Sequence, residues 1–289
     1  MGGKVIPKVM NFFWSGKILS WMRYMTLYSF KKLNPDWEVV LYVSSYNDIK
    51  KKPWPDNNVQ EFFSGYSEQD YFSKVSCLGL KIREVNGITD KLDPVRASDV
   101  FRWYLLYKQG GFYSDMDILY VKPLESFYQK VCKYETVMAY TSSPTNYFSI
   151  GFLGSVPGNV FFRDLFEVAT SRVEGCYQTS GTVSIYQLVA DRKDWHKVVP
   201  HTNQLALYHK KYGVNIFTDF QSAVYPYSYR QIEEIFASSN KQLPKESIAL
   251  HWFAGAALAQ KFNKKLTHKN YMNYNNLFCH LAMQVLKDK

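Results

Sequence analysis

The first 43 residues narrow the fold more than any other stretch. "KVIPKVMNFFW" (residues 4–14) is an apolar, aromatic run that gives way to Ser-Gly-Lys, as a buried strand entering a loop would. In "SWMRYMTLYSFKKLNP" (20–35), Trp21, Met25, Tyr28 and Leu33 recur at near-helical spacing, and Asn34-Pro35 is a helix stop. "WEVVLYV" (37–43) has the β-branched and aromatic residues of a second strand. Strand, helix and strand in that order predict a parallel α/β sheet.

Residues 47–75 are polar and irregular, with "KKPWPDNN" as the clearest loop. "DPVRASDVFRWYLLYKQGG" (93–111) has Asp93-Pro94 near a helix start and Gly110-Gly111 as the stop. "FYSDMDILYV" (112–121) is expected to be one strand, ended by Lys122-Pro123; "VMAYTS" and "SIGFLGSV" are two more. "NVFFRDLFEVATSRV", "TVSIYQLVADRK" and the tail "YNNLFCHLAMQVLKDK" are expected to be helices. With no repeat or linker in view, residues 1–289 are expected to form one domain with an α-rich C-terminal portion.

The composition excludes several classes. Hydrophobic content of 46% and charged content of 21% are those of a globular chain, not a disordered one. No apolar run reaches the roughly 18 residues of a membrane span, and Lys4, Pro7 and Lys8 interrupt what a signal peptide would need. Cys77, Cys132, Cys176 and Cys279 are scattered, as reduced core thiols would be. Together these predict a cytoplasmic protein. Its net charge of +10 favours anionic partners, including a peripheral position at the inner membrane surface. Walker A, Gly-x-Gly-x-x-Gly, His-Glu-x-x-His and nucleophile-elbow patterns are absent.

The chemistry concentrates around Asp115 and Asp117. If 112–121 is a strand, Tyr113, Asp115 and Asp117 share one face while Phe112, Ser114, Met116 and Ile118 share the other. Two carboxylates at that spacing can hold a hard divalent cation, with water and phosphate oxygens completing its shell. One helix earlier, Asp99 and Arg102 are three residues apart and share a face.

"RASDVFRWYLLYKQGGFYSDMDILYVKPL" resembles the sugar-binding DXD segment of glycosyltransferase family 32. That family includes fungal mannosyltransferases and bacterial capsule enzymes, and is related to the glucosylating domains of large clostridial toxins. Ser98-Asp99, Arg102 and Gly110 through Asp117 follow its pattern without gaps, and "IPKVMNFFWSG" is similar to its opening strand. The resemblance covers about the first 125 residues. It implies a GT-A type, Rossmann-like nucleotide-sugar-binding sheet, with residues 1–125 as the donor half and 126–289 as the acceptor-side, helical half. It further implies Mn²⁺ or Mg²⁺, a UDP-sugar donor and transfer with retention of configuration. Asp99 and Arg102 would then grip the donor sugar, Asp115 would touch the sugar and the metal shell, and Asp117 would ligate the metal. Tyr113 would line the donor site, and Phe13 or Trp14 would lie near the base.

"SIALHWFAGAALAQKF" (247–262) reads as a strand entering a loop at His251. The family's late His-x-x-x-Gly-Ser-Trp motif is kept here in His251 and Gly255, with Ala256-Ala257 replacing Ser-Trp. The resemblance makes His251 a metal or phosphate ligand, with Trp252 as a substitute stacking group. Asn146, Gly181 and Thr182 are weaker candidates, and the basic "KFNKKLTHK" could face phosphates. His196, His201, His209, His268 and His280 lack metal-ligand spacing. No general base stands out, which suits retaining transfer. The acceptor is expected to be a glycan or lipid-linked glycan, met at the inner membrane surface where it is lipid-linked, with a protein acceptor the least favoured. Two alternatives stay open: a DNA acceptor carrying hydroxymethylated bases, and a non-catalytic nucleotide-sugar or nucleic-acid binding module. No obligate protein partner is implied.

Overall fold

The structure, a computed structural model, describes residues 4–16, 18–44, 70–90, 92–142, 145–171, 178–191, 202–237 and 241–287. Most of the polar stretch 47–75, together with Cys176, His196 and His201, lies outside the described residues.

The strands among the described residues are β1 (Val9–Ser15), β2 (Glu38–Ser44), β3 (Lys81–Val85), β4 (Gly111–Ser114), β5 (Ile118–Tyr120), β6 (Thr136–Thr141), β7 (Tyr147–Ser155), β8 (Ile216–Phe217) and β9 (Ala249–His251). Seven form a mixed sheet in the order β3-β2-β1-β4-β7-β6-β8, and β5 and β9 form a separate pair. The β3-β2-β1-β4 portion is parallel, whereas β7 runs antiparallel to both β4 and β6. The opening strand-helix-strand unit is as expected. Helix Trp21–Leu33 is capped by Ser20, whose Oγ accepts the Arg23 N–H, and ends at Asn34. It returns the chain so that Val9 pairs with Glu38.

Strand order reverses at β1: β2 and β3 build outward on one side, and β4 enters on the other. In open α/β sheets the crevice at the carboxyl ends of the strands beside such a reversal is where ligands bind. The route into β4 needs its two glycines. Gly110 and Gly111 have φ of +65° and +84°, and a Cβ on Gly110 would lie 2.6 Å from the Ser155 carbonyl. Helix Pro94–Lys108 precedes them, with the Asp93 side chain accepting the Val95 and Arg96 N–H groups and Pro94 in the first turn.

Apolar side chains pack on both sheet faces. Phe12, Phe30, Trp37, Phe112 and Phe152 fill one side; Phe13, Phe101, Trp103, Tyr113 and Leu153 fill the other. A third cluster joins helix Trp21–Leu33 to β5, β9 and the terminal helix Leu277–Lys287 through Trp21, Met25, Leu250, Trp252 and Phe278. At about 1.5–3 kcal/mol per buried large side chain, these clusters dominate the stabilisation. Among the described residues no helix is long and apolar enough to cross a membrane.

Two expectations fail. Cys77 is exposed and Cys132 half-buried, so of the described cysteines Cys279 alone is a core thiol. Residues 112–121 are not a single strand: β4 stops at Ser114, the chain turns through Asp115-Met116-Asp117, and β5 begins in the other sheet. Competing partners cause the break. The Asp115 N–H goes to the Gly151 carbonyl, the Met116 carbonyl accepts from Thr26 Oγ1, and the Asp117 carbonyl accepts from the Trp252 N–H. Phe112, Met116 and Ile118 still share one core while Tyr113 lies in the other, so the predicted partition of side chains survives although strict alternation does not.

Candidate metal centre and donor site

The turn between β4 and β5 projects Asp115 and Asp117 beside the end of β9. Pairing of Ile118 with His251 brings the histidine to them from 134 residues away. One ligand atom from each of Asp115, Asp117 and His251 lies within 4.8 Å of the others. Asp117 is held firmly: Oδ2 accepts the Ala254 N–H at 2.8 Å, and Oδ1 lies 3.3 Å from His251 Nε2. On the far side of the imidazole, Nδ1 faces the Phe253 N–H at 3.2 Å.

Gly151 on β7 opens the space between these groups. A Cβ there would sit 2.9 Å from Asp115 Oδ2, 3.1 Å from the Tyr225 hydroxyl and 3.3 Å from His251 Nε2. The Tyr225 ring packs against His251 with centroids 5.1 Å apart. Its buried hydroxyl has no well-formed hydrogen bond, with only a weak approach from the Phe152 N–H. Opposite ligands of an octahedral divalent ion stand about 4.2 Å apart. A spread of 4.8 Å therefore fits such an ion after a small contraction; the two carboxylate oxygens suit a hard divalent ion such as Mn²⁺ or Mg²⁺, and the imidazole nitrogen shifts the preference towards a transition metal.

Arg102 ties this cluster to the preceding helix. Its Nη2 contacts Asp99 Oδ1 at 3.0 Å and Asp115 Oδ1 at 3.1 Å. Nη1 donates to the Ile150 carbonyl at 2.7 Å, Nη2 to Ser98 Oγ at 3.0 Å and Nε to the Ser98 carbonyl at 3.3 Å. The guanidinium also lies over the Tyr113 ring, 4.8 Å from its centroid, while the Tyr113 hydroxyl bonds Ser98 Oγ. Burial works to lower the Arg102 pKa, but the Asp115 carboxylate, Tyr113 and Asp99 outweigh it and hold the residue charged. Burial pushes Asp115 up against the opposing pull of Arg102, and Asp117 adds to the rise.

Asp99 is 4% exposed, and the absent side chain of Gly181 makes room for it: a Cβ there would lie 2.8 Å from Asp99 Oδ2. Burial raises the Asp99 pKa to about 6 from 3.8, opposed by Arg102. Between those values the folded protein holds more protons than the unfolded chain, so this group's contribution falls as pH rises and is least favourable above pH 6. The full difference is about 3 kcal/mol. Asp99→Asn is therefore expected to gain in melting temperature relative to the parent as pH rises from about 4 to 7. A difference that stays flat across that range contradicts the assignment.

The other sequence candidates are placed as follows. Phe13 packs against Phe101 at 5.0 Å within the core. Trp14, at the end of β1, lies under the Arg23 guanidinium. Trp252 is wholly buried, with Arg23 over its ring and Phe278 at its edge. Asn146 accepts from the Tyr140 hydroxyl within the β6–β7 turn. Thr182 begins helix Thr182–Ala190 directly after Gly181. Gly151 and Tyr225 escaped the sequence reading. An isolated glycine inside the strand pattern "SIGFLG" is a signal of close approach that could have flagged the first. Tyr225 follows a four-residue helix and carries no periodic signal.

Residues 20–137 match the family model described as glycosyltransferase sugar-binding region containing DXD motif. The matched stretch is less than half of the chain and includes Asp115-Met116-Asp117, which has the Asp-x-Asp form that the description names. No curated protein matches the chain in sequence. Among solved structures it is similar to the PaToxG glycosyltransferase, at 16% identity over 72% of this chain and 71% of that one, with a TM-score of 0.42. It is similar to the apo form of the glycosyltransferase GlyE of Streptococcus pneumoniae TIGR4, at 12% identity and a TM-score of 0.47. There the match covers 98% of this chain but 61% of GlyE, so this chain spans about three fifths of that relative. The galactosyltransferase LgtC, in complex with donor and acceptor sugar analogs, matches at 12% identity over 92% of this chain and 99% of that one, with a TM-score of 0.43.

Proposed function

We propose that the protein is a metal-dependent glycosyltransferase of GT-A type, moving a sugar from a UDP-linked donor to a glycan or lipid-linked glycan acceptor with retention of configuration. One observation carries this reading: both carboxylates of the DXD motif meet His251 around the space left by Gly151, and Arg102 joins that cluster to Asp99. Asp115, Asp117 and His251 would hold Mn²⁺ or Mg²⁺. When bound, such an ion supplies charge neutralisation to the departing nucleoside diphosphate.

The chain's own groups do the rest. Arg102 fixes the direction of Asp99 and Asp115, so that Asp99 is presented to a donor sugar without freedom to swing. Helix Ala257–Lys265 starts just past His251, and its N-cap, Ala256, offers no side-chain cap. First-turn N–H groups are thereby left for anionic oxygens where the resembling family has a serine hydroxyl. Asp99, Asp115 and Asp117 each already serve Arg102, His251 or a backbone N–H. That suits a reaction in which the leaving phosphate takes the acceptor's proton. In this reading residues 1–125 supply the DXD and Asp99–Arg102 groups while 126–289 complete the site with Gly151, Tyr225 and His251, as one catalytic unit. A net charge of +10 suits an acceptor carried at an anionic membrane surface.

The test is incubation with UDP-, GDP- and dTDP-sugars, with Mn²⁺ or with chelator. UDP release from a UDP-sugar that depends on the metal is expected. Absence of hydrolysis and of metal-dependent nucleotide binding across the panel would overturn the reading.

A further inference from the structure

Arg23, on helix Trp21–Leu33, is a second buried arginine, and the donor chemistry above makes no use of it. It is 8% exposed, and its guanidinium lies against two indoles, 4.8 Å from the Trp14 ring centroid and 5.6 Å from that of Trp252. Its Nε is sealed from solvent without a hydrogen-bond partner, and the neighbouring Trp252 Nε1 is equally unpartnered. Among the described residues no carboxylate pairs with it. Arg102, also buried at 4% exposure, has two.

A desolvated cation without a counter-charge is unfavourable. The indoles offset part of that through their π faces, yet they bring no negative charge. The N–H donors of the guanidinium lie within its plane, and the one on Nε has no partner. That is the arrangement of a fork awaiting an anion, since planar donors match carboxylate and phosphate oxygens.

Three ties place Arg23 at the edge of the carboxylate cluster. Trp14 lies two residues beyond Phe12, which pairs with Ser114 immediately before Asp115. Trp252 follows His251 and donates its N–H to the Asp117 carbonyl. Thr26, three residues along the same helix face as Arg23, donates to the Met116 carbonyl at 3.0 Å. The charges point the same way. Asp99, Asp115 and Asp117 outnumber Arg102, so a divalent ion brings that cluster only to about neutral. The extra negative charge that develops on a departing diphosphate then calls for a cation with no carboxylate of its own.

We propose that Arg23 binds phosphate oxygens of the nucleotide donor, clamped in place by Trp14 and Trp252. This rests on the donor reading above. The experiment is calorimetric titration of the full chain, in Mn²⁺, with UDP, GDP and dTDP, and with the nucleoside of whichever binds most tightly. Arg23→Met is expected to weaken that nucleoside diphosphate by about tenfold or more, as loss of a charge-assisted hydrogen bond does. The nucleoside should be unaffected, and the melting temperature unchanged or higher because an unpaired buried charge is gone. Unchanged diphosphate affinity with a lowered melting temperature would mean that Arg23 only packs the indoles, and would overturn the proposal. So would an equal loss for nucleoside and diphosphate. Should the methionine variant not fold, Arg23→Gln carries the same expectations. Parent protein that binds no nucleoside diphosphate overturns the donor reading and this inference together, whereas an unaffected variant overturns this inference alone.

Discussion

Asp117→Ala is expected to lower metal-dependent donor hydrolysis by roughly a thousandfold. Asp117 stands at the junction of everything the site needs: Oδ1 faces His251 Nε2 at 3.3 Å, Oδ2 accepts the Ala254 N–H, and its carbonyl accepts the Trp252 N–H. The backbone contact survives substitution. The lost Ala254 bond is worth about 1.5–3 kcal/mol as a hydrogen bond to a charged group, so the variant should fold with a modestly lower melting temperature. Asp117→Asn separates ligation from anchoring, because an amide oxygen can still accept the Ala254 N–H but brings no charge to a cation. Gly151→Ala approaches the same site sterically. It alters no ligand, yet sets a methyl group 2.9 Å from Asp115 Oδ2 and 3.3 Å from His251 Nε2. Both variants should lose the response to added Mn²⁺. Full Mn²⁺-dependent turnover in Gly151→Ala would show that the ion sits elsewhere.

What could be read in the sequence was local, and what could not was set by long-range pairing. Ser20, Asn34, Asp93-Pro94 and Gly110-Gly111 mark helix ends through short-range backbone chemistry, and those boundaries appear where expected. The period-2 pattern over 112–121 was misleading because core-facing residues alternate correctly across a break. Only the partners of Asp115, Met116 and Asp117, on β7, on helix Trp21–Leu33 and past β9, interrupt the strand. No sequence pattern announces those partners. Asp99, Arg102, Asp115, Asp117 and His251 were recognisable by motif, and the structure brings them into one neighbourhood. Their division of labour was not visible. Arg102, expected with Asp99 to grip the donor sugar, shares its hydrogen bonds among Asp99, Asp115, Ser98 and Ile150. Gly151 contributes by what it lacks, and Arg23 by the absence of a carboxylate partner among the described residues, which composition cannot display.

Arg102→Met is expected to destabilise the protein by about 3–5 kcal/mol near neutral pH, the usual consequence of removing one member of a buried charge cluster. For a chain of this size that corresponds to a fall in melting temperature of roughly 10 °C. Methionine fills much of the space, so the loss comes from groups left without partners: the Asp99 and Asp115 carboxylates and the Ile150 carbonyl. The sign with pH follows from the carboxylates. Burial already raises both, and Arg102 is the main force holding them down. Without it their folded-state pKa values rise further above the unfolded ones, protons are taken up on folding over a wider range, and stability falls more steeply as pH rises. The variant should therefore lie close to the parent at about pH 4 and diverge from it towards pH 8. Arg102→Lys keeps the charge but has too few donors in the wrong geometry for Asp99, Asp115, Ser98 and Ile150 at once, so an intermediate loss is expected. Adding Asp99→Asn to Arg102→Met should recover part of the stability by removing one stranded carboxylate, a non-additivity expected of groups in direct contact. Strict additivity, or a destabilisation by Arg102→Met that is the same at pH 4 and pH 8, would show that Arg102 serves as packing and not as the electrostatic brace of the site.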